Sequence, residues 1–234
     1  MPEPTALLAL PGLGLGPESW RPTLKHLPGA GAPVRLLPGF GEPAHRRQDL
    51  DPRALAENVL AVLPDDVTRV VLLAHSASSQ VAAHVAALAP ARVVALVLVG
   101  PTTDPRTTTW PRLVARWVAT APLETPRQVP TLLRQYARTT LPAMVRGLDA
   151  VRKDSIEQTL DRVKAPVLVV RGPRDHICLE DWAASVAAHG GEGSRHVTLS
   201  AGAHMVPFTH GRLVADVVRE FLCELDASTS ASSA

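Results

Sequence analysis

The part of the chain that decides the fold is the stretch Val70-Val71-Leu72-Leu73-Ala74-His75-Ser76-Ala77-Ser78-Ser79-Gln80. Its first half is a short unbroken apolar run, which is typical of a strand buried on both faces of a parallel sheet. The alanine-rich residues that follow, as far as Leu88, predict a helix. Ser76 therefore lies at a tight turn from strand to helix. The residues two positions away on either side, Ala74 and Ser78, are small enough to permit that turn.

Two roles fit Ser76 at this turn. A strand-to-helix turn lifts the serine hydroxyl above the carboxyl edge of the sheet, where ligands bind in such folds. The N-terminus of the following helix would stabilise negative charge that develops there. These features make Ser76 a candidate nucleophile. The simpler alternative is a serine that only caps its helix.

On both sides of this turn, short apolar runs alternate with longer amphipathic ones. The predicted strands are residues 5–10, 33–37, 68–73, 93–99, 166–170 and 196–199. The predicted helices between and after them are residues 18–27, 52–63, 76–88, 180–189 and 211–225. This alternation predicts an α/β fold with a mostly parallel central sheet and helices on both faces.

One segment, residues 101–164, interrupts the alternation because it contains no strand candidate. Helical stretches are predicted there at residues 110–120, 126–140, 143–151 and 155–163. Inserted segments often carry binding groups and shield a reaction from water, so we expect a helical cap over a site. The alternative is a set of scaffold helices that merely cover the sheet. The predicted organisation is a core of residues 1–100 and 165–225, a cap of residues 101–164, and a disordered tail of residues 226–234.

Length and composition restrict the class of protein. The 234 residues fit one sizeable domain, and 46% hydrophobic with 20% charged residues is typical of a soluble globular protein. The 24 basic residues are scattered and the formal net charge is only +2, which argues against a nucleic-acid partner. Cys178 and Cys223 cannot form a disulfide framework, and we expect inert thiols. The apolar run 6–10 is too short for a signal peptide or a membrane span, which predicts a cytoplasmic protein with no membrane partner.

Three further stretches complete a known pattern. They are Leu8-Ala9-Leu10-Pro11-Gly12-Leu13, then Pro166-Val167-Leu168-Val169-Val170-Arg171-Gly172-Pro173-Arg174-Asp175, and finally Ser200-Ala201-Gly202-Ala203-His204-Met205. Together with the Ser76 turn they resemble the α/β-hydrolase family, and the likeness extends over nearly the whole chain. The order Ser, Asp, His is that of this family. The chain departs from the family pattern at Ala74 and Ser78, where glycine is usual, and at Pro11, where histidine is usual.

The resemblance implies a role for each motif. Ser76 would be the nucleophile, His204 the base that takes its proton, and Asp175 the acid that orients the imidazole. The backbone N–H groups of Leu13 and Ala77 would form the oxyanion hole.

Several site assignments keep alternatives. Asp104 follows the strand 93–99 and is a second candidate for the triad acid, while Asp175 could be an ordinary turn residue. Supporting or pocket positions are expected at His75, Gly12, Trp110 and Tyr136. We expect no cofactor and no metal, since no His/Cys/Asp/Glu group has ligand spacing and the glycines of residues 12–16 do not match a dinucleotide fingerprint.

The predicted activity is hydrolysis of an ester, lactone or thioester through an acyl-serine intermediate. The cap suggests a small-molecule substrate with an apolar acyl or ring part, although helix packing explains the same apolar residues. One alternative is a lyase or eliminase that uses the triad without an acyl-enzyme, and another is a non-catalytic binding protein of the same fold. A positive charge aimed into the pocket would favour the lyase; the cap candidates are Arg116, Arg134, Arg138 and Arg146. The oligomeric state is left open.

Overall fold

A five-stranded parallel sheet lies at the centre of the computed structural model, which describes residues 5–27 and 32–232. The strands are β1 (Ala6–Leu10), β2 (Leu37–Pro38), β3 (Gly41–Glu42), β4 (Val70–His75), β5 (Val93–Val99), β6 (Val167–Arg171) and β7 (Arg195–Thr198). The sheet order is β1-β4-β5-β6-β7 and every neighbouring pair is parallel, so the predicted sheet is confirmed. The short strands β2 and β3 pair only with each other.

Helices cover both faces of this sheet. They are α1 (Arg21–Leu24), α2 (Pro52–Leu60), α3 (Ser78–Leu88), α4 (Trp110–Thr120), α5 (Val129–Thr139), α6 (Leu141–Val151), α7 (Ile156–Leu160), α8 (Glu180–Ala188), α9 (Val206–Thr209) and α10 (Gly211–Ser232). Alternate residues of each strand face opposite layers. In β4, Leu72 packs towards α2, α3 and α8, and Leu73 packs towards α1 and α10. Burial on both faces explains why the strands are almost entirely apolar.

Prolines shorten two elements that the sequence predicted. The strand expected at residues 33–37 is reduced to a bridge between Val34 and Ala9 at the edge beside β1. Pro33 and Pro38 lack the N–H that a regular ladder needs. The helix expected at residues 18–27 is a 3₁₀ turn at Pro17–Ser19 followed by α1, because Pro22 is tolerated only in the first turn of a helix.

The C-terminal helix is longer than predicted. α10 continues to Ser232, so it replaces the disordered tail expected from residue 226 onward, as far as residue 232. Residues 233–234 lie outside the described part of the chain.

The segment between β5 and β6 is helical throughout, as predicted. It holds α4, α5, α6 and α7 with three short 3₁₀ turns, and residues 100–166 contain no strand. Side chains of α4, α5 and α6 line a cavity at the carboxyl edge of the sheet, whereas α7 packs against α3 of the core. Within residues 5–27 and 32–232, the structure has no helix with the length and apolarity that crossing a bilayer requires.

Candidate active site

Ser76 lies at the end of β4 in a strained backbone conformation. Its φ is 58°, in the left-handed region that L-residues rarely adopt, and its N–H donates to the carbonyl of Val99 at 2.8 Å. The N-terminal cap of α3 is Ala77, and no side chain caps this helix. The side chain of Ser76 is thus free of the capping role that was the simpler alternative.

Ser78 explains how the turn forms without its usual glycine. The hydroxyl of Ser78 accepts the N–H of His75 at 3.0 Å and lies within donating distance of the carbonyls of Leu10, at 3.0 Å, and of His75, at 2.9 Å. It therefore ties the end of β1 to the end of β4, directly below Ser76. Ala74 is fully buried, where a larger side chain would have no space.

His204 and Asp175 complete a hydrogen-bonded chain with Ser76. The Oγ of Ser76 is 2.8 Å from Nε2 of His204, and Nδ1 of His204 is 2.8 Å from Oδ2 of Asp175. The second oxygen of Asp175 accepts the N–H groups of Ile177 and Cys178, at 2.8 Å and 3.0 Å. The structure thus brings together the three residues that the motif order predicted.

The charges around the imidazole of His204 suit a role as general base. Burial opposes a charged imidazole, but the charge and hydrogen bond of Asp175, together with the charge of Glu124, outweigh it and raise the pKa of His204. Burial would raise the pKa of Asp175, yet His204 and the two N–H donors lower it instead. Asp175 is therefore an ionised partner for the imidazole.

Asp104, the second candidate acid, is engaged elsewhere. Its carboxylate lies 2.6 Å from Nη2 of Arg106, which also pairs with Asp181. It also accepts the N–H of Arg106 and caps a 3₁₀ turn. Asp104 thus has a structural role, and Asp175 is the acid that contacts His204.

The two predicted oxyanion donors border the same space as Ser76. Leu13 and Ala77 both line the cavity, and within residues 5–27 and 32–232 neither N–H is hydrogen bonded. The adjacent N–H groups are occupied, since Gly14 donates to Gly39 and Leu15 donates to Gly12. Two free N–H groups beside the serine are the arrangement that binds a developing oxyanion.

His75 and Gly12 support the site from beneath. Burial lowers the pKa of His75 to about 3, so the ring is neutral, and its Nε2–H donates to the carbonyl of His204 at 3.0 Å. A Cβ at Gly12 would lie 3.0 Å from Nδ1 of His75. Gly12 therefore leaves room for the imidazole that holds the backbone of His204.

A cavity of about 780 Å³ opens above Ser76 and His204. Trp110 and Tyr136 line it, as predicted, among mainly apolar cap residues. Burial, then the charge of Glu124, raises the pKa of Tyr136. The apolar lining suits an acyl chain or ring better than a polar ligand.

Of the four cap arginines considered, only Arg116 lines the cavity, and its Nη1 donates to the carbonyl of His176 at 3.2 Å. Arg138 donates to Gly41, and Arg146 donates to His45 and Gln48. Arg134 contacts only Thr131. Arg116 is therefore the one of these four cations that borders the pocket, where its guanidinium is hydrogen bonded to the residue after Asp175.

Two residues of the site, Gly100 and Glu124, were not predicted from the sequence. A Cβ at Gly100, whose φ is +60°, would lie 3.0 Å from the ring of His204 and 3.2 Å from Oδ2 of Asp175. Glu124 lines the cavity and accepts the N–H of Met205 at 2.8 Å. Each had a sequence signal, since Gly100 directly follows a strand and Glu124 is the only acid between Asp104 and Asp149.

Comparison with known proteins places the chain in a family. Residues 7–217 match the model of the alpha/beta hydrolase family. A hydrolase from Oleispira antarctica has a TM-score of 0.75 at 17% identity, with 94% of this chain and 91% of that chain covered. The enol-lactonase from Burkholderia xenovorans LB400 has a TM-score of 0.70 at 17% identity, with 95% and 92% covered. MenH from S. aureus has a TM-score of 0.75 at 15% identity, with 95% and 94% covered.

The search of curated proteins gave no match. At the identities above, the solved structures establish likeness of fold alone. The family model, however, spans most of the sequence, and the sheet order, the strained serine and the histidine loop all agree with it. This chain belongs to the alpha/beta hydrolase family.

Proposed function

We propose that the protein is a serine hydrolase that cleaves an ester, lactone or thioester with an apolar acyl or ring part. Family membership supports hydrolase activity on a small molecule in general. The observation that carries the finer proposal is the continuous chain Ser76–His204–Asp175, with 2.8 Å at each step, at the base of an apolar cavity. The enol-lactonase from Burkholderia xenovorans LB400 has the same fold, and its name refers to a lactone, which is a cyclic ester. We therefore include lactones among the proposed substrates.

The proposed reaction has two steps. Oγ of Ser76 attacks the carbonyl carbon while Nε2 of His204 takes its proton, and the N–H groups of Leu13 and Ala77 bind the oxyanion. His204 returns the proton to the departing alcohol or thiol, which leaves an acyl-serine. Water then attacks that acyl group with His204 as base, releasing the acid and restoring Ser76.

Labelling with a fluorophosphonate probe tests this proposal. We expect the wild type to be labelled at Ser76, with labelling lost in Ser76→Ala and in His204→Ala, because the probe needs an activated serine. Ser79→Ala is the matched control. Ser79 lies three residues after Ser76, and its buried hydroxyl has no hydrogen-bond partner. A folded wild type that is neither labelled nor active on 4-nitrophenyl esters would rule out the acyl-serine mechanism.

A further inference from the structure

The carboxylate of Glu124 is positioned between the cap and the histidine loop, residues 200–205. Glu124 lies between α4 and α5, and its Oε1 accepts the N–H of Met205, the residue after His204, at 2.8 Å. Its Oε2 accepts the side-chain amide of Gln128 at 3.1 Å. Both oxygens accept from N–H donors, so the side chain is fixed between the two segments.

Glu124 is not part of an ion pair in the described part of the chain. Among the described residues, Arg116 is the only lysine or arginine in the cavity lining, and its Nη1 donates to the backbone carbonyl of His176 at 3.2 Å and not to Glu124. The mainly apolar walls screen the charge less than water would.

We propose that Glu124 determines the substrate specificity of the site. Its negative charge excludes anionic substrates, and its hydrogen bonds fasten the cap to the histidine loop. The inference rests on the proposed function, because it names the substrate class as uncharged esters, lactones or thioesters. An acid group on the acyl chain would meet the negative charge of Glu124 in a confined apolar space. An uncharged chain meets no such repulsion.

The electrostatic neighbourhood agrees with this position. The charge of Glu124 raises the pKa of His204 and also that of Tyr136, so it acts on both the base and the cavity wall. The other titratable groups facing His204 are Asp175, which raises its pKa, and His75, which is neutral.

Two substitutions separate the charge from the hydrogen bonds. Glu124→Gln removes the charge but keeps an acceptor for Met205, and its new amide can donate to the buried, unpartnered Oε1 of Gln128 after that amide rotates. Glu124→Ala removes both. Glu57→Gln on α2 is the matched control for a one-unit charge change, because Glu57 is an exposed residue outside the cavity.

The test compares 4-nitrophenyl hydrogen succinate, an anion, with its neutral methyl ester. We expect Glu124→Gln to raise kcat/KM for the anion by about tenfold or more, and to change the neutral ester by less than about threefold. Glu124→Ala should lower kcat/KM on the neutral ester by about tenfold, because the loop that carries His204 loses its tie to the cap. Glu57→Gln should leave kcat/KM unchanged for both substrates. An unchanged ratio of anionic to neutral activity in Glu124→Gln overturns the inference.

A second measurement keeps the inference separate from the proposed function. Calorimetric binding of octanoate and octanamide requires no turnover. We expect Glu124→Gln to bind octanoate about tenfold more tightly than the wild type, with octanamide unchanged. If the wild type is unlabelled and inactive, the proposed function fails while this comparison still decides the role of Glu124. If octanoate binding is unchanged, the inference fails even in an active enzyme.

Discussion

Ser78 stands where the family pattern has glycine, yet its hydroxyl is fully engaged. It accepts from the N–H of His75 and reaches the carbonyls of Leu10 and His75, all of them buried beneath Ser76. The next residue, Ser79, is also fully buried, but its hydroxyl has no hydrogen-bond partner. Removing the hydroxyl should therefore affect the free energy of unfolding much more at Ser78 than at Ser79.

Restoring the family glycine should destabilise this protein. Ser78→Gly leaves the N–H of His75 without its partner, while the carbonyl of Leu10 keeps the indole N–H of Trp20 at 2.9 Å. We expect a loss of about 1–3 kcal/mol in the free energy of unfolding. Ser79→Ala removes an unsatisfied buried hydroxyl and should change that free energy by less than about 0.5 kcal/mol. Urea unfolding of both variants measures the difference. Equal stability of Ser78→Gly and the wild type would contradict the bracing role of this hydroxyl.

The pH dependence of activity also belongs to single residues. His204 must be neutral to accept a proton, and Asp175 with Glu124 raises its pKa above the ordinary value of 6.5. We expect kcat/KM to rise with pH through a midpoint above 6.5 and then to level off. Glu124→Gln should lower that midpoint, since it removes one of the charges that raise the pKa. Asp175→Asn should lower kcat by about 10⁴-fold.

If the pH profile of kcat/KM has the same midpoint in Glu124→Gln and in the wild type, the charge of Glu124 does not affect the pKa of His204. His75 does not contribute to the rise of kcat/KM with pH, because its pKa of about 3 leaves the ring neutral across the pH range of that rise.

At the scale of the element, the end of β5 forms the floor beneath the imidazole. Gly100 follows Val99, takes a φ of +60°, and donates its N–H to the carbonyl of Val170 at 2.8 Å. The edge of β5 therefore approaches the His204–Asp175 pair so closely that a side chain at Gly100 would have to displace the imidazole or the carboxylate. This close approach depends on where one strand stops.

Gly100→Ala should abolish activity out of proportion to its effect on stability. A Cβ there would lie 3.0 Å from the ring of His204 and would push the ring aside, whereas a Cβ at Gly39, with φ of +83°, meets nothing closer than 3.5 Å. Both substitutions carry the left-handed penalty of roughly 1–2 kcal/mol. We expect only Gly100→Ala to lose fluorophosphonate labelling, by at least about 100-fold in rate. Comparable labelling rates in the two variants, at 25 °C where both are folded, would contradict this.

At the scale of the whole molecule, helices from the segment between β5 and β6 supply most of the residues that line the cavity. α4, α5 and α6 contribute mainly apolar side chains, so the length of the acyl group that fits depends on the distance between cap and sheet. Several of these side chains, including Trp117 and Leu133, are more than half exposed at the mouth of the cavity. Such exposure is typical of an apolar groove that a ligand covers.

Filling the cavity from the cap should change the preferred chain length. Leu132→Trp enlarges a lining side chain and should lower kcat/KM on long 4-nitrophenyl esters by about tenfold relative to short ones. Val118→Trp makes a similar enlargement on α4 at an exposed residue outside the lining. An ester panel from acetate to decanoate tests both variants. A shift in chain-length preference in Val118→Trp, or its absence in Leu132→Trp, would contradict the assignment of this cavity as the acyl site.

The sequence by itself determined the parallel sheet, the helical insertion and the order of the Ser, Asp and His motifs. The predicted bounds of β5 at Val93–Val99 and of α4 at Trp110–Thr120 agree with the structure, since an apolar run and an amphipathic period are local properties. Local patterns failed where proline interrupted an element, as at residues 33–37, and they placed the end of α10 too early.

Only the tertiary structure decided which groups meet. Glu124 lies 81 positions from Met205, so no local pattern reports their contact. The same holds for Ser78, whose partner Leu10 is 68 positions away, and for Gly100, whose neighbour is a ring from another loop. Hydrogen bonds and electrostatics depend on distances of a few ångströms, and folding sets those distances between segments that the sequence keeps apart.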